Sequence, residues 1–418
     1  MTRDQIIGTY AVAAVLIFVV GLFAGWWHVE GGPVRTVGPA LTRSLAPTPT
    51  SPGESLSDGR RRIGTAALRA IPDVHADLYI EDGISSDDAQ LISRTIDSDV
   101  TDVQKTYGRR FGARVQVYVF ANTKTYIPGL RAISADEPRP ASVEAAAVAL
   151  GVRGVVIDWH KVSSEKPITT LRHELTHLMI HQLARPTKTK PIPAWLDEGS
   201  ARLEEFTIAG TEWLRAWHRY AAAARIVVGD HFALRVLRSD AEWGAKTGRT
   251  AEGAYLDAAA AVQLLRDDVG VAGVTATLDL MGQGRAFEDA FLEVVGTSAD
   301  AFEDSAPSRI EQTSAPYPNV VAWTGDPGPG DLSYALYGFA PNSQVALEIV
   351  GQTAQTKNTN KMVSVDGYGI SRSYLGTEWP ADTYIITATG PRAPGAPQPT
   401  ANATVRTAAQ KVSVAGSK

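Results

Sequence analysis

The stretch of this chain that says most about its fold is His173-Glu174-Leu175-Thr176-His177, followed by Trp195-Leu196-Asp197-Glu198-Gly199. On an α-helix each residue advances about 100°, so His173 and His177 lie roughly 40° apart and one turn along the axis. Two imidazoles at this spacing can reach one tetrahedral metal ion from a single helix face. Glu174 points about 60° to the side of His177, where it can take a proton from a water that the metal activates. The pattern predicts a zinc hydrolase site. The alternative is two solvated helix histidines beside an ordinary glutamate.

A catalytic zinc ion needs a third protein ligand, with one position left open for water. One zinc-protease pattern requires a glycine and a third histidine where this chain has Ile180 and Leu183, so that pattern fails. Glu198 is the better candidate, because it follows the histidine pair after a proline-containing break and lies on a second helix predicted from 194 to 206. The alternative for Glu198 is a surface ion pair with Arg202 at i+4. Gly199 lacks a side chain and would let this helix approach the first one closely.

These residues resemble a known family. His173-Glu174-x-x-His177, with Trp195-Leu196-x-Glu198-Gly199-x-Ala201, is similar to the gluzincin metalloproteases, and more narrowly to the bacterial thermolysin-like "peptidase MA-like" domains. The resemblance implies an α+β fold, with a mixed sheet over an active-site helix and a helical lower half. It implies that His173, His177 and Glu198 bind one Zn²⁺ ion and that Glu174 is the general base. No Gly-x-Met-Glu-Asn-type motif precedes the site, a departure from the related aminopeptidases that favours an endopeptidase.

Tyr255 is a further candidate catalytic residue. The resembling domains carry a tyrosine at the start of a helix here, and a phenol directed at the metal could donate to the oxyanion of a tetrahedral intermediate. The alternative is a core tyrosine bonded to backbone. Asp257 could orient a metal ligand, although nothing in the spacing requires it. His181, one turn beyond the histidine pair, either borders the pocket or is an ordinary solvated or core histidine.

The segments around the motif predict a mixed α and β domain. Strands are predicted at 78–80, 115–120 and 154–159, and helices at 87–107, 211–225 and 253–268, with two more between 274 and 301. In resembling enzymes the strand before the active-site helix forms the edge of the cleft, where an extended peptide can add as a further strand. That role is predicted for 154–159.

The chain changes character near Pro316. Short alternating segments follow, separated by Gly, Pro, Asn and Asp, at 319–323, 332–337, 344–349, 362–365, 384–389 and 403–406. This pattern predicts an all-β sandwich, and Gly367-Tyr368-Gly369 with 379–385 resembles bacterial immunoglobulin-like modules. Such a module would be a spacer, a substrate-docking surface or a ligand for the cell envelope.

The N-terminal segment Ile6–Trp27 is mostly apolar and carries no charge, which predicts a single-pass transmembrane helix; a cleaved signal peptide is the alternative. The following stretch, rich in Pro, Thr and Ser, predicts a stalk and a catalytic domain on the extracytoplasmic side of the cell membrane.

A net charge of −5 argues against nucleic acid as a partner. The absence of cysteine excludes disulfides and thiol catalysis.

The sequence thus predicts a membrane-anchored zinc metalloprotease that hydrolyses a peptide or protein substrate. The alternative is an inactive zincin-fold scaffold whose immunoglobulin-like module binds a cell-surface partner. The predicted organisation is a transmembrane anchor (1–28), a stalk (29–63), a gluzincin-like metallopeptidase domain (64–312), an immunoglobulin-like β-sandwich (313–408) and a disordered tail (409–418).

Overall fold

The computed structural model describes residues 54–56, 60–134, 145–165, 167–187, 189–205, 212–227, 229–246, 248–313, 319–324, 332–340, 342–353, 358–367, 370–375, 379, 382–391 and 400–406. Over these residues the chain is α+β: a mixed sheet with helices, followed by antiparallel sheets. The predicted α+β class is confirmed at this level. The predicted anchor, most of the stalk and the C-terminal tail lie outside the described residues.

The first sheet has seven strands in the order β1-β2-β3-β4-β5-β7-β6. Its strands are β1 (Glu54–Ser55), β2 (Arg61–Ile63), β3 (Ala66–Ile71), β4 (Ala76–Glu81), β5 (Val115–Phe120), β6 (Ala147–Leu150) and β7 (Gly154–Asp158). Strands β4, β5 and β7 are parallel, whereas β6 runs antiparallel to β7. All three predicted strands are confirmed. Strands β1 and β2 both lie within 29–63, the segment predicted as stalk.

The prediction that the strand at 154–159 forms the edge of the cleft is wrong. Strand β7 lies between β5 and β6, so it is an inner strand, and β6 occupies the end of the sheet within the described residues. The sequence of β6 is only Ala-Val-Ala-Leu, too short to show strand periodicity, which explains why it was missed.

The helices are α1 (Ser86–Tyr107), α2 (Thr123–Ile133), α3 (Trp159–Glu165), α4 (Pro167–Ala184), α5 (Ala194–Glu205), α6 (Glu212–Val227), α7 (Asp240–Gly244), α8 (Gly248–Gly282), α9 (Phe287–Val295) and α10 (Ala299–Thr313), with a 3-10 helix at Leu234–Leu237. The predicted helices are confirmed with shifted ends. Ser85 caps the N-terminus of α1 by accepting from the N–H of Asp88, and Gly108 ends that helix in the left-handed region.

Strand β5 shows how the sheet divides two cores. All six of its residues are buried, as expected of a parallel strand covered on both faces. Val117 and Val119 pack on the side of α1 and α4, whereas Tyr118 and Phe120 pack with Tyr126 of α2 on the other side. The sheet therefore supports α4, the helix that carries the histidine pair.

Helix α5 is held against its neighbours by its first turns. Trp195 is fully buried, stacks on Phe302 at 5.9 Å between ring centroids, and donates its indole N–H to Glu303 at 2.9 Å. A Cβ atom on Gly199 would lie 2.5 Å from the carbonyl oxygen of Ala258 in α8. The close approach that Gly199 permits is therefore to α8, and the predicted approach to α4 is wrong.

The C-terminal part contains two antiparallel sheets with the strand orders β11-β10-β13-β14 and β12-β9-β8. The strands are β8 (Asn319–Thr324), β9 (Leu332–Tyr337), β10 (Gln344–Gly351), β11 (Thr359–Ser364), β12 (Ser371–Tyr374), β13 (Thr383–Thr389) and β14 (Thr400–Arg406). Leu336 of β9 and Leu347 of β10 belong to one hydrophobic cluster, so the two sheets share a core. The six predicted segments are confirmed as strands, and β12 was missed.

The prediction of a transmembrane helix is corrected by the structure. Among the helices of the described ranges, none combines the length and apolar composition needed to cross a bilayer. Helix α4, for example, has 18 residues but includes Arg172 and Glu174. The segment for which the span was predicted, 1–28, lies outside these ranges.

Candidate metal centre

The predicted ligands lie together. The Nε2 atoms of His173 and His177, from α4, are 3.0 Å apart. Oε2 of Glu198, from α5, lies 3.5 Å from Nε2 of His173 and 3.4 Å from Nε2 of His177. Bonds of about 2.0–2.1 Å to a tetrahedral ion separate its ligand atoms by roughly 3.3 Å. The three side chains could therefore hold one metal ion.

The carboxylate of Glu198 fits this role. Its Oε2 atom is buried and has no hydrogen-bond partner, although buried polar atoms are normally paired. Burial acts to raise the pKa of Glu198, but its interactions with His177 and His173 together outweigh burial, and the pKa falls to about 2. The alternative pairing with Arg202 is wrong, because Arg202 donates to Glu205 at 2.7 Å and to Glu252 at 3.2 Å.

Two further carboxylates hold the histidine rings. Oε1 of Glu205 lies 2.5 Å from Nδ1 of His173, and Oδ1 of Asp197 lies 2.7 Å from Nδ1 of His177. A proton on each Nδ1 leaves the Nε2 lone pair free for a metal. Burial acts to lower the pKa of His173, but Glu198 and Glu205 raise it to about 9. The pKa of His177 is likewise raised well above its usual value, against burial, by Asp197 and Glu198.

Neither carboxylate was predicted from the sequence to have a role. A signal for Glu205 was present, because it lies seven residues after Glu198 and an α-helix brings residues seven apart onto the same face. Asp197 gave no such signal. Its position beside Glu198 places it about 100° around the helix, and only the packing of α5 on α4 brings it to His177.

Glu174 lies at the junction between α4 and the end strand of the sheet. Its Oε2 atom accepts the backbone N–H of Ala149, in β6, at 2.6 Å. Its side chain is buried, and burial raises its pKa although the charges of His173 and His177 act to lower it. A raised pKa brings a carboxylate closer to the range in which a general base works at neutral pH.

Tyr255, at the side of the cluster, is held by three neighbours. Its ring lies 6.2 Å from that of His173, 5.0 Å edge-to-face from that of Trp243, and 5.7 Å from the guanidinium of Arg202. The charge of Glu198, and then burial, raise the pKa of Tyr255 well above its usual value. The phenol is therefore a protonated group beside the cluster.

The expectation that Asp257 orients a metal ligand is wrong. Its carboxylate accepts the side chain of Arg225 at 3.3 Å and the backbone N–H of Phe232 at 2.8 Å. These contacts connect α8 to α6 and to the segment before the 3-10 helix. Asp257 therefore belongs to the helix packing.

Comparison of the sequence with models of known protein families and with curated proteins finds no match. The function is therefore inferred from the residues and geometry of the site.

Proposed function

We propose that this protein is a zinc-dependent peptidase of the gluzincin type. The observation that carries the proposal is the convergence of three ligand atoms, one of them the Oε2 of Glu198, which makes no hydrogen bond, on a cluster whose charges act on the carboxylate of Glu174. Two imidazoles and one carboxylate form a ligand set typical of catalytic zinc, with one position left for water. The proposal includes a zincin-like fold for the α+β part and an immunoglobulin-like sandwich for the antiparallel sheets.

Zinc at this site would supply a Lewis acid that polarises a peptide carbonyl and makes a water nucleophilic at neutral pH. Glu174 would take the proton of the attacking water and pass it to the leaving amine. Tyr255, whose raised pKa keeps the phenol protonated, would donate a hydrogen bond to the developing oxyanion.

Strand β6 is the proposed binding site for the peptide backbone. Within the described residues it has a strand neighbour on one side only, so its other side can accept an extended peptide. The N–H of Ala149 on this strand already points to Glu174. A peptide paired with β6 would therefore lie beside the general base.

The test is cleavage of a degenerate peptide library by the full-length zinc-loaded chain, with Glu174→Gln assayed in parallel. We expect the variant to lose activity by at least about 100-fold, the usual contribution of a general base, while it retains zinc. Glu311→Gln changes an exposed glutamate of α10 and is the matched control. Zinc binding without cleavage by the unmodified chain would contradict the peptidase and favour a binding scaffold.

A further inference from the structure

A third histidine of α4, His181, lies next to the candidate metal centre and is not one of its proposed ligands. His173, His177 and His181 recur every four residues and so share one helix face. Nε2 of His181 lies 2.7 Å from Oδ2 of Asp197, and the two side chains are only 12% and 9% exposed. His181 therefore points into the protein, toward α5.

Asp197 connects His181 to a proposed zinc ligand. One of its oxygens, Oδ1, lies 2.7 Å from Nδ1 of His177, and the other, Oδ2, accepts from His181. A carboxylate with a donor on each oxygen is held in one orientation, whereas loss of one donor frees it to rotate about its side-chain bonds.

We propose that His181 is a positioning residue for the metal centre. By donating its Nε2–H to Asp197, it fixes the carboxylate that holds the Nδ1–H of His177, and this directs the Nε2 lone pair of His177 at the metal. The inference rests on the proposed function in taking zinc as the ion at this centre. Residues that orient a metal ligand typically contribute 10–100-fold, as an order of magnitude, to metal affinity.

His177, His181 and Asp197 also form a group that could hold an ion themselves. Their separations argue against it. Both imidazole–carboxylate distances are 2.7 Å, the length of a charge-assisted hydrogen bond. Ligands around a tetrahedral zinc ion lie roughly 3.3 Å apart, close to the separations within the His173, His177 and Glu198 group.

The experiment uses the full-length chain, stripped of metal and titrated with Zn²⁺ against a chromophoric chelator, and separately with Co²⁺ to record its visible spectrum. We expect His181→Ala to weaken zinc binding by about 10-fold and to change the cobalt spectrum. His181→Gln retains an N–H near the position of Nε2 and should restore most of the affinity. His160→Ala, which removes an exposed histidine of α3, is the matched control and should bind as the unmodified chain does.

Unchanged zinc affinity and an unchanged cobalt spectrum in His181→Ala would overturn the inference alone, whatever the peptidase assay shows. A second zinc equivalent that disappears in His181→Ala would overturn it in favour of a second metal site. If His181→Ala does not fold, the zinc affinity of His181→Gln is compared with that of Asp197→Ala. Zinc binding by His181→Gln as weak as that of Asp197→Ala would exclude the positioning role. An unmodified chain that binds neither ion would overturn the proposed function together with this inference.

Discussion

The two sides of the His177 ring face adjacent carboxylates of α5 but differ in how those carboxylates are bonded. At Nε2, the Oε2 atom of Glu198 is 3.4 Å away and has no hydrogen-bond partner. At Nδ1, Asp197 is 2.7 Å away, and its other oxygen is bonded to His181. Proximity to a histidine therefore does not identify a metal ligand. The separation and the unused hydrogen-bonding capacity of the carboxylate oxygen distinguish the two roles.

The largest effect is expected when the proposed ligand is removed. Glu198→Ala should lower zinc affinity by more than about 100-fold, because even residues that only orient ligands contribute 10–100-fold. The neighbouring Asp197→Asn keeps the shape of the side chain and should cost roughly 10-fold. Both affinities can be measured by competition with a chelator. Equal losses in the two variants would remove the distinction between ligand and orienting residue.

The next largest effect is the pH dependence of zinc binding. Glu198 and Glu205 raise the pKa of His173 to about 9, so this ring is protonated at pH 7 in the metal-free protein and zinc must displace that proton; Asp197 and Glu198 raise the pKa of His177 in the same direction. Zinc affinity should therefore rise with pH up to about 9, by up to about 10-fold per unit for each proton released. Ordinary histidines would give a rise that ends near pH 6.5.

Calorimetry at pH 7 in two buffers of different ionisation enthalpy would count the protons released on zinc binding. An affinity that stays constant between pH 7 and pH 8 would show that Glu205 and Asp197 do not raise the pKa of the two rings. The contacts of Glu205 with His173 at 2.5 Å and of Asp197 with His177 at 2.7 Å would then be unexplained as features of a metal centre.

A smaller effect is expected at the other imidazole. Glu205→Gln removes the carboxylate at Nδ1 of His173, so zinc affinity should fall by about 10-fold and its rise with pH should end lower. Glu252→Gln is the matched control, since Glu252 contacts the same Arg202 but no histidine. If both variants bind zinc equally, the contact between Glu205 and His173 has no function in the site.

Part of the candidate metal centre could be predicted from the sequence, because the placement of its residues on α4 depends on helix geometry alone. The i, i+4 spacing of His173 and His177 places both on one face, and Glu174 follows from the same rotation. Helix geometry also explains why the expectation for Asp257 is wrong. It lies two residues after Tyr255 and is therefore turned about 200° around α8, which directs it away from the cluster.

The fold was predictable where a segment carries its own periodicity and not where contacts between distant segments decide. Strand β5 alternates valine with Gln116, Tyr118 and Phe120 over its six residues, a period of two that is typical of a strand. Strand β6 has four residues, and its place at the end of the sheet follows from pairing with β7. The roles of Asp197 and His181 likewise require the rotation of α5 relative to α4, which no local pattern contains.

The smallest effect on metal binding is expected from Gly199→Ala, which tests how α5 holds both carboxylates in place. A Cβ atom there would lie 2.5 Å from the carbonyl oxygen of Ala258, so α5 must move away from α8, at a cost of about 1–3 kcal/mol in the free energy of unfolding. Gly244→Ala adds the same methyl group where no atom lies within 4 Å and is the matched control.

Chemical denaturation would measure the free energy of unfolding of both variants, and zinc titration would show whether Glu198 and Asp197 move with the helix as a unit. A destabilised variant with zinc affinity no lower than that of Gly244→Ala would mean that α4 and α5 shift together. A loss larger than that of Glu205→Gln would mean that the approach of α5 to α8 sets the ligand separations.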